Sequence, residues 1–497
     1  MNTLTRLADS KWNNATAAHL LNRAGFGATP DEIEQARQKG LTAAVEQLVD
    51  VKADAAEVPP PSWAHPRNIR AQRMDIRRAK ERGEDFRTKV RDVRMMEGDE
   101  MIDLRRWWVD RMLNGPAPLL EKMTLFWHGH FATSIQKVRD AYWMWLQNDM
   151  LRRNAFGNFR TLVKKVSRDP AMMIYLDLHQ SRQEHPNENW ARELMELFTV
   201  GIGNYSEQDI RESSRAFTGY RIDFTTQQFR FAAFQQDHRP KTFMGQSGNL
   251  SGDDIIDILV SKPACAQFIG RKLWRFFAED DPPSAVVDSI AGTIRKHNFE
   301  LRPILREMFC SAEFYSDSAM GNQIKSPVQF IVQTSKLLNA SAPPPLAAQN
   351  AMRQMGQILF APPNVKGWDG GKQWISTSTL LFRYNLANYL INGDAILPAT
   401  ARQPRQGGDV GFGRAAQYAK QIQRDPIDVG KLVPSEVRGK AKDIVEVLIK
   451  RFFQVRPGQN EVDAFNKYLE SRGPDITDAD VRGLIHLMMS TPQYQLV

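Results

Sequence analysis

The sequence predicts an all-α protein: a large multi-helix bundle with related helical units and at most a small β-hairpin. Three observations lead there. Apolar residues recur at helical spacing through most of the 497 residues. Helix-start chemistry punctuates the chain, as at Thr29-Pro30-Asp31-Glu32, where a hydroxyl cap, a first-turn proline and two acids meet the positive end of a helix. Only one stretch, 220–245, has a strand signal, with Phe229 and Phe231 alternating at period two.

Taken in order, residues 15–50 read as helices Ala15–Arg23 and Pro30–Lys39 around a turn holding Gly25 and Gly27. Residues 52–66, rich in Pro and Ala, read as a loop. Residues 67–106 carry 13 basic and 9 acidic residues, the mixture of a long solvated helix. Residues 104–150 concentrate Trp107, Trp108, Phe126, Trp127, Phe131 and Trp143, which marks buried helices apolar nearly all round. Residues 396–436, with Pro, Gly, Arg and Gln and little periodicity, read as a linker. The predicted organisation is a main helical domain over 1–395, that linker, and a C-terminal helical unit over 437–497 packed on the main domain.

An internal repeat supports the idea of related units. Arg275-Phe276-Phe277 matches Arg451-Phe452-Phe453 at an offset of 176, and Tyr315 matches Tyr494 at 179. Two matches are too few for a solenoid and fit a bundle of related units.

Composition narrows the function classes. With 42% hydrophobic and 25% charged residues the chain is an ordinary globular protein, neither disordered nor a small disulfide scaffold. No run reaches the roughly 18 apolar residues of a membrane span. The net charge of +9 is modest for this length and lacks the dense basic element of a sequence-specific DNA binder, so no nucleic-acid partner is expected. Cys265 and Cys310 form no CxxC and exclude a cysteine-built zinc site. The opening residues carry no apolar signal core, which implies a cytoplasmic protein; a processed or co-exported chain would instead be periplasmic or secreted.

The densest polar constellation runs from His185 to Phe198. Pro186 and Asn187 open a helix there and Gly201 closes it. Asn189, Glu193 and Glu196 share one face at i, i+4 and i+7. Glu188, Arg192 and Glu196 share another, so a capped helix with two ion pairs explains the same pattern. The functional alternative sets Glu193 and Glu196 as an acid–base pair facing a cavity. A second cluster is Phe126-Trp127-His128-Gly129-His130-Phe131. His128 and His130 are candidate ligands of a divalent metal, but on a helix their rings point about 200° apart, so a shared ion requires Gly129 to break the helix. Lys241, in a charged loop, is a candidate contact for an anionic or polar substrate. Trp368, in the rigid loop Pro362–Gly371, is a candidate stacking residue for a sugar or an apolar partner. No P-loop, dinucleotide fingerprint, HExxH or G-x-S-x-G elbow is present.

In order, HLLNRAGFGATPDEIEQA, FWHGHFATS, NENWARELMELFTVGIGNYSEQDI, RAFTGY, KTFMG, KSPVQF and PPNVKGW closely resemble the bacterial domain of unknown function 1800 family, over residues 15–395. The resemblance implies a mostly helical protein, often exported, and a genomic pairing with the sulfatase-like domain of unknown function 1501 family. It supplies no reaction. Two departures stand out: the absent export signal, and Gln236-Asp237 where the family tends to read His-Asp before the lysine. The sequence therefore supports two functions. One is an enzyme that hydrolyses or modifies a polar, anionic or glycan substrate with metal assistance, Glu193 and Glu196 doing acid–base work while Asn187, Asn189, Arg192, Lys241 and Trp368 orient the substrate. The other is a non-catalytic scaffold or chaperone for a sulfatase-like protein.

Overall fold

The computed structural model describes residues 4–51, 59–393 and 423–497. Helix, counting 3-10 and π turns beside 22 α-helices, accounts for 62% of the described residues, and strand only for two small antiparallel pairs among them. The predicted all-α class holds.

Helices α1 (Asn14–Ala24), α2 (Pro30–Lys39) and α3 (Leu41–Val49) form the N-terminal unit. The predicted cap of α2 is present: the Thr29 hydroxyl accepts from the Glu32 amide while the Glu32 carboxylate accepts from the Thr29 amide. The stretch read as one long charged helix is two, α4 (Ile69–Glu81) and α5 (Phe86–Asn114). Gly83, at φ +71°, turns the chain between them, and the Asp85 carboxylate caps α5 at the Thr88 amide. The mixed charge pattern could not reveal this break, because both helices are solvated on their outer faces.

Next come α6 (Pro118–His130), α7 (Ile135–Val138), α8 (Ala141–Arg153), α9 (Phe159–Val166) and α10 (Pro170–Tyr175). Trp108, Trp127 and Trp143 are fully buried among them, as their sequence density foretold. The centre of this layer is polar as well as aromatic. The buried Glu121 carboxylate accepts from Arg152 Nη2 at 2.9 Å and from Arg111 Nε at 2.8 Å.

α11 (Glu188–Glu193) continues without a break into a π-helical turn, Leu194–Thr199, and α12 (Glu207–Ala216) packs against it. Strands β1 (Tyr220–Asp223) and β2 (Gln228–Phe231) pair with Ile222 opposite Phe229. A second hairpin, β3 (Lys241–Phe243) with β4 (Gln246–Gly248), lies beyond what the sequence predicted. Its strands are three residues long, too short to show alternation. Its turn residues Met244 and Gly245 both have positive φ, the conformation that suits a two-residue hairpin turn.

α13 (Gly252–Ser261), α14 (Pro263–Phe277), α15 (Ser284–Lys296) and α16 (Leu301–Phe309) lead to α17 (Pro327–Leu337), α18 (Pro345–Met355) and α19 (Thr377–Asn392). The C-terminal unit is α20 (Ala441–Phe452), α21 (Gln459–Glu470) and α22 (Asp478–Met489). Its tail is stitched to the segment before α17: Lys325 N donates to Gln495 O at 2.8 Å and Val497 N to Gln323 O at 2.8 Å. Most of the predicted linker lies outside the described residues. In its described part Ile427, Val429, Leu432 and Val433 are buried. Both repeat blocks run helix, helix, helix and a closing 3-10 turn, at Glu313–Tyr315 and Gln493–Gln495. The contacts of the matched aromatics differ, however: Phe276 packs on Phe126, and Phe452 on Tyr494. No helix among the described residues is long and apolar enough to cross a membrane.

Candidate functional site: a cationic cavity at the helix junction

α1, α6, α14, the π-helical turn and the Pro362–Gly371 loop converge on a cavity of about 900 Å³. This is the size of a small-molecule site. Lys122, Phe126 and His130 enter from α6, and Lys272, Arg275 and Phe276 from α14. Arg23 enters from α1, Glu196 from the π-helical turn, and Lys366 and Trp368 from the loop. Three motifs that the sequence set far apart, HGHF, NENWARELMELF and PPNVKGW, therefore share one wall.

The join between the first two of these motifs is a backbone one. The last carbonyls of a helix have no intrahelical partner. Here Phe198 O meets His130 Nε2 at 3.0 Å, and Leu197 O accepts from Lys272 Nζ at 3.1 Å. His130 must donate from Nε2 to a carbonyl, so its Nδ1 is the acceptor, and Lys272 Nζ donates to it at 3.2 Å. Burial and the Lys272 charge hold the His130 pKa well below the ordinary histidine value. A lysine at a helix C-terminus also meets the negative end of the helix dipole.

His128 takes the other side of α6. Its Nε2 accepts from the Phe360 amide at 3.0 Å, and its ring packs on Trp108 and Phe360. Burial lowers its pKa to about 3. α6 runs through Gly129 unbroken, so the two imidazoles diverge and share no ion. Among the described residues no three His, Cys, Asp or Glu side chains are grouped to hold a metal.

Glu196 lines the cavity and accepts from the Tyr205 hydroxyl at 3.0 Å. Glu193, expected to face the cavity with it, is half-buried and lies outside the lining. Its pKa is raised by burial and by Glu196, against the opposing charges of Arg192 and Lys366. The other predicted substrate contacts lie outside the cavity lining, and each has a local partner. The Asn187 side chain caps α11 at the Trp190 amide, 3.1 Å away. Asn189 Nδ2 reaches Leu176 O at 3.4 Å. Arg192 forms a two-bond pair with Glu207 at 2.8 and 3.0 Å. Lys241 is buried against the Asp237 and Arg239 carbonyls, at 2.6 and 3.1 Å. Asp237 is the acid that ties Arg215 to Arg239.

Sequence reading missed the cations that line this cavity. Lys122 donates to Gln329 Oε1 and lies 4.9 Å from the centre of the Phe26 ring. Burial, then the Arg23 charge, lowers its pKa to about 7. Lys272 is lowered to about 8 by burial and by Arg275. Arg23, also lowered by burial, donates to Gln323 Oε1 and to the Ala278 and Ala319 carbonyls, while its Nε has no partner. Among the described residues no carboxylate pairs with Lys122 or Lys272. The signal was available in PLLEKMTLFWHGH, where a lysine sits in a helix apolar nearly all round.

The fold and this cavity define a mostly helical protein whose cavity is lined by six Lys and Arg side chains and four carboxylates, Glu196, Asp280, Asp288 and Asp369. The chain belongs to the family described as "Protein of unknown function (DUF1800)", whose model matches residues 19–496. No curated protein and no solved structure matches it.

Proposed function

We propose that this protein is an enzyme that draws a small, polar, anionic substrate into the cavity, with Glu196 and Glu193 as an acid–base pair at its edge. One observation carries the reading: Lys122 and Arg23 are buried, and Lys272 half-buried, around a single cavity without a carboxylate on either lysine. Removing an ammonium from water costs several kcal/mol unless an anion meets it. A bound anion supplies that partner and draws the lysines back to their charged forms. The raised pKa of Glu193 beside Glu196 suits proton exchange with such a substrate. The nitrogens of His130 and Nε2 of His128 are committed to other partners, so the reading rests on the cations rather than on a metal.

The test is calorimetry with inorganic sulfate at pH 8, in two buffers of different ionisation enthalpy. Saturable binding with net proton uptake is expected, and both should fall at least about tenfold in Lys122→Met. Absence of saturable binding, or binding without proton uptake, would count against the cavity as an anion site.

A further inference from the structure

We propose that the Lys122 amine adds to the carbonyl carbon of a small carbonyl acid, a 2-oxo acid or an aldehyde acid, to form a Schiff base in the cavity. This rests on the anion-binding reading of the same cavity and names the substrate class.

The geometry supplies what such a lysine needs. The amine must be neutral near pH 7, with its lone pair facing the substrate. Lys122 stands between Phe26 and Phe276, with ring centres 4.9 and 5.7 Å from Nζ, and Arg23 lies beside it. Desolvation and a neighbouring cation are the two ways to make a lysine nucleophilic. Its hydrogen-bond acceptor is fixed. Gln329 Nε2 donates to Gln333 Oε1 at 3.1 Å and to Asn22 O at 3.4 Å, which leaves Gln329 Oε1 turned toward Lys122. An amine that gives one N–H to that oxygen keeps its lone pair for the cavity it lines. A carbonyl acid that sets its carboxylate on Arg23, beside Asp280 and Glu279, leaves Lys122 neutral where sulfate would protonate it; Arg23 is buried and its Nε has no partner. Lys272 differs in kind. Its ammonium is held by His130 Nδ1 and Leu197 O at a helix end, the arrangement of a fixed charge rather than a nucleophile.

In the step itself the Lys122 nitrogen forms a bond to the carbonyl carbon, and the C=O π pair moves to oxygen. The carbon–oxygen bond then breaks. The two amine protons leave with that oxygen as water, and one solvent proton converts the imine to the iminium. No oxidant or reductant takes part.

The experiment uses glyoxylate with cyanoborohydride at pH 7 on the full chain, with peptide mapping of the reduced adduct. At that pH Lys122 holds on the order of a thousandfold more neutral amine than an ordinary lysine. One carboxymethyl group on Lys122 is expected, formed at least about tenfold faster than on any other lysine and absent in Lys122→Met and Lys122→Arg. Two variants guard against a folding defect in one. Adducts spread evenly over surface lysines, an adduct on Lys272, or no adduct would overturn the proposal. Glycolate, the same acid without the carbonyl, separates the two readings. If glycolate binds by calorimetry and glyoxylate is not trapped, the Schiff base alone fails. If neither binds, the anion-binding reading fails with it.

Discussion

Gly367 lies against the carbonyl oxygen of Gly129, so close that a Cβ on Gly367 would overlap that oxygen. The PPNVKGW loop thus passes close against the HGHF helix at Gly129, and Lys366 and Trp368 on either side of Gly367 line the cavity. Gly367 also has φ +89°, where a side chain is strained. Gly367→Ala is expected to cost about 1–3 kcal/mol in urea unfolding. Gly129→Ala is expected to stay within about 1 kcal/mol, because its Cβ would meet only Trp368 at an ordinary 3.9 Å, inside a helix that favours alanine. Equal losses for the two variants would refute the close-approach account.

The Glu121–Arg152 pair gives a larger effect. Both side chains are buried, with Arg152 Nε and Nη2 at 3.0 and 2.9 Å from the carboxylate and Trp108 Nε1 at 2.9 Å. Burial by itself would raise the Glu121 pKa, but Arg152 and Arg111 outweigh it and hold the carboxyl below its ordinary value. Glu121→Gln leaves Arg152 charged in the core and is expected to cost about 3–5 kcal/mol. The double change Glu121→Leu with Arg152→Met should recover much of that loss. A single variant that unfolds like the wild type in urea would disprove the assignment.

The fold was legible because apolar spacing and caps are local. Asn187 opens α11, and Gly201, at φ +80°, stands where the reading ended that helix. Local signals also located the walls of the cavity, since HGHF, NENWARELMELF and PPNVKGW are dense in polar and aromatic residues. They could not say which polar residues face inward. Asn189 and Arg192 sit on the same short helix as Glu193, yet one is spent on the Leu176 carbonyl and the other on Glu207. Arg23, Lys122 and Lys272 come from three separate segments, and their juxtaposition is a tertiary fact that no spacing encodes. The π-helical turn was hidden for a related reason: the apolar residues Leu194, Met195 and Phe198 suit a π-turn as well as an α-turn.

Asp169 makes stability depend on pH. It caps α10 at the Met172 amide, 2.8 Å away, and accepts from Gln147 Nε2 at 2.7 Å. Burial raises its pKa to about 7, against the lowering by these two hydrogen bonds. The folded state therefore keeps a proton that the unfolded chain releases near pH 4. The stability this provides is full below about pH 4 and is lost as pH rises through about 7. Asp169→Asn keeps the cap, and Gln147 can turn its unpartnered Oε1 toward the new amide. Between pH 5 and 8 the wild type should lose about 1–3 kcal/mol more than this variant in urea unfolding. Parallel pH profiles would contradict the assignment.

The edge of the cavity should show opposite signs for two neighbouring charges. Glu193 is raised by burial and by Glu196, and lowered by Arg192 and Lys366, so it senses the same field as an entering anion. Glu193→Gln removes a repelling charge, and Lys366→Met removes an attracting one. At a dielectric close to that of water, a unit charge at the cavity rim is worth roughly 0.5 kcal/mol, or about twofold in affinity. Sulfate affinity at low salt should therefore rise about twofold in Glu193→Gln and fall about twofold in Lys366→Met. Both differences should shrink at 0.5 M inert salt, where screening is short-ranged. pH separates this effect from the lysines. Burial and Glu196 raise the Glu193 pKa from the ordinary carboxyl value, whereas Lys122 and Lys272 are lowered to about 7 and about 8. Wild-type affinity should rise as Glu193 takes up its proton, and Glu193→Gln should lose this rise while keeping the one near pH 7–8. If the variant keeps both, Glu193 does not face the anion's path.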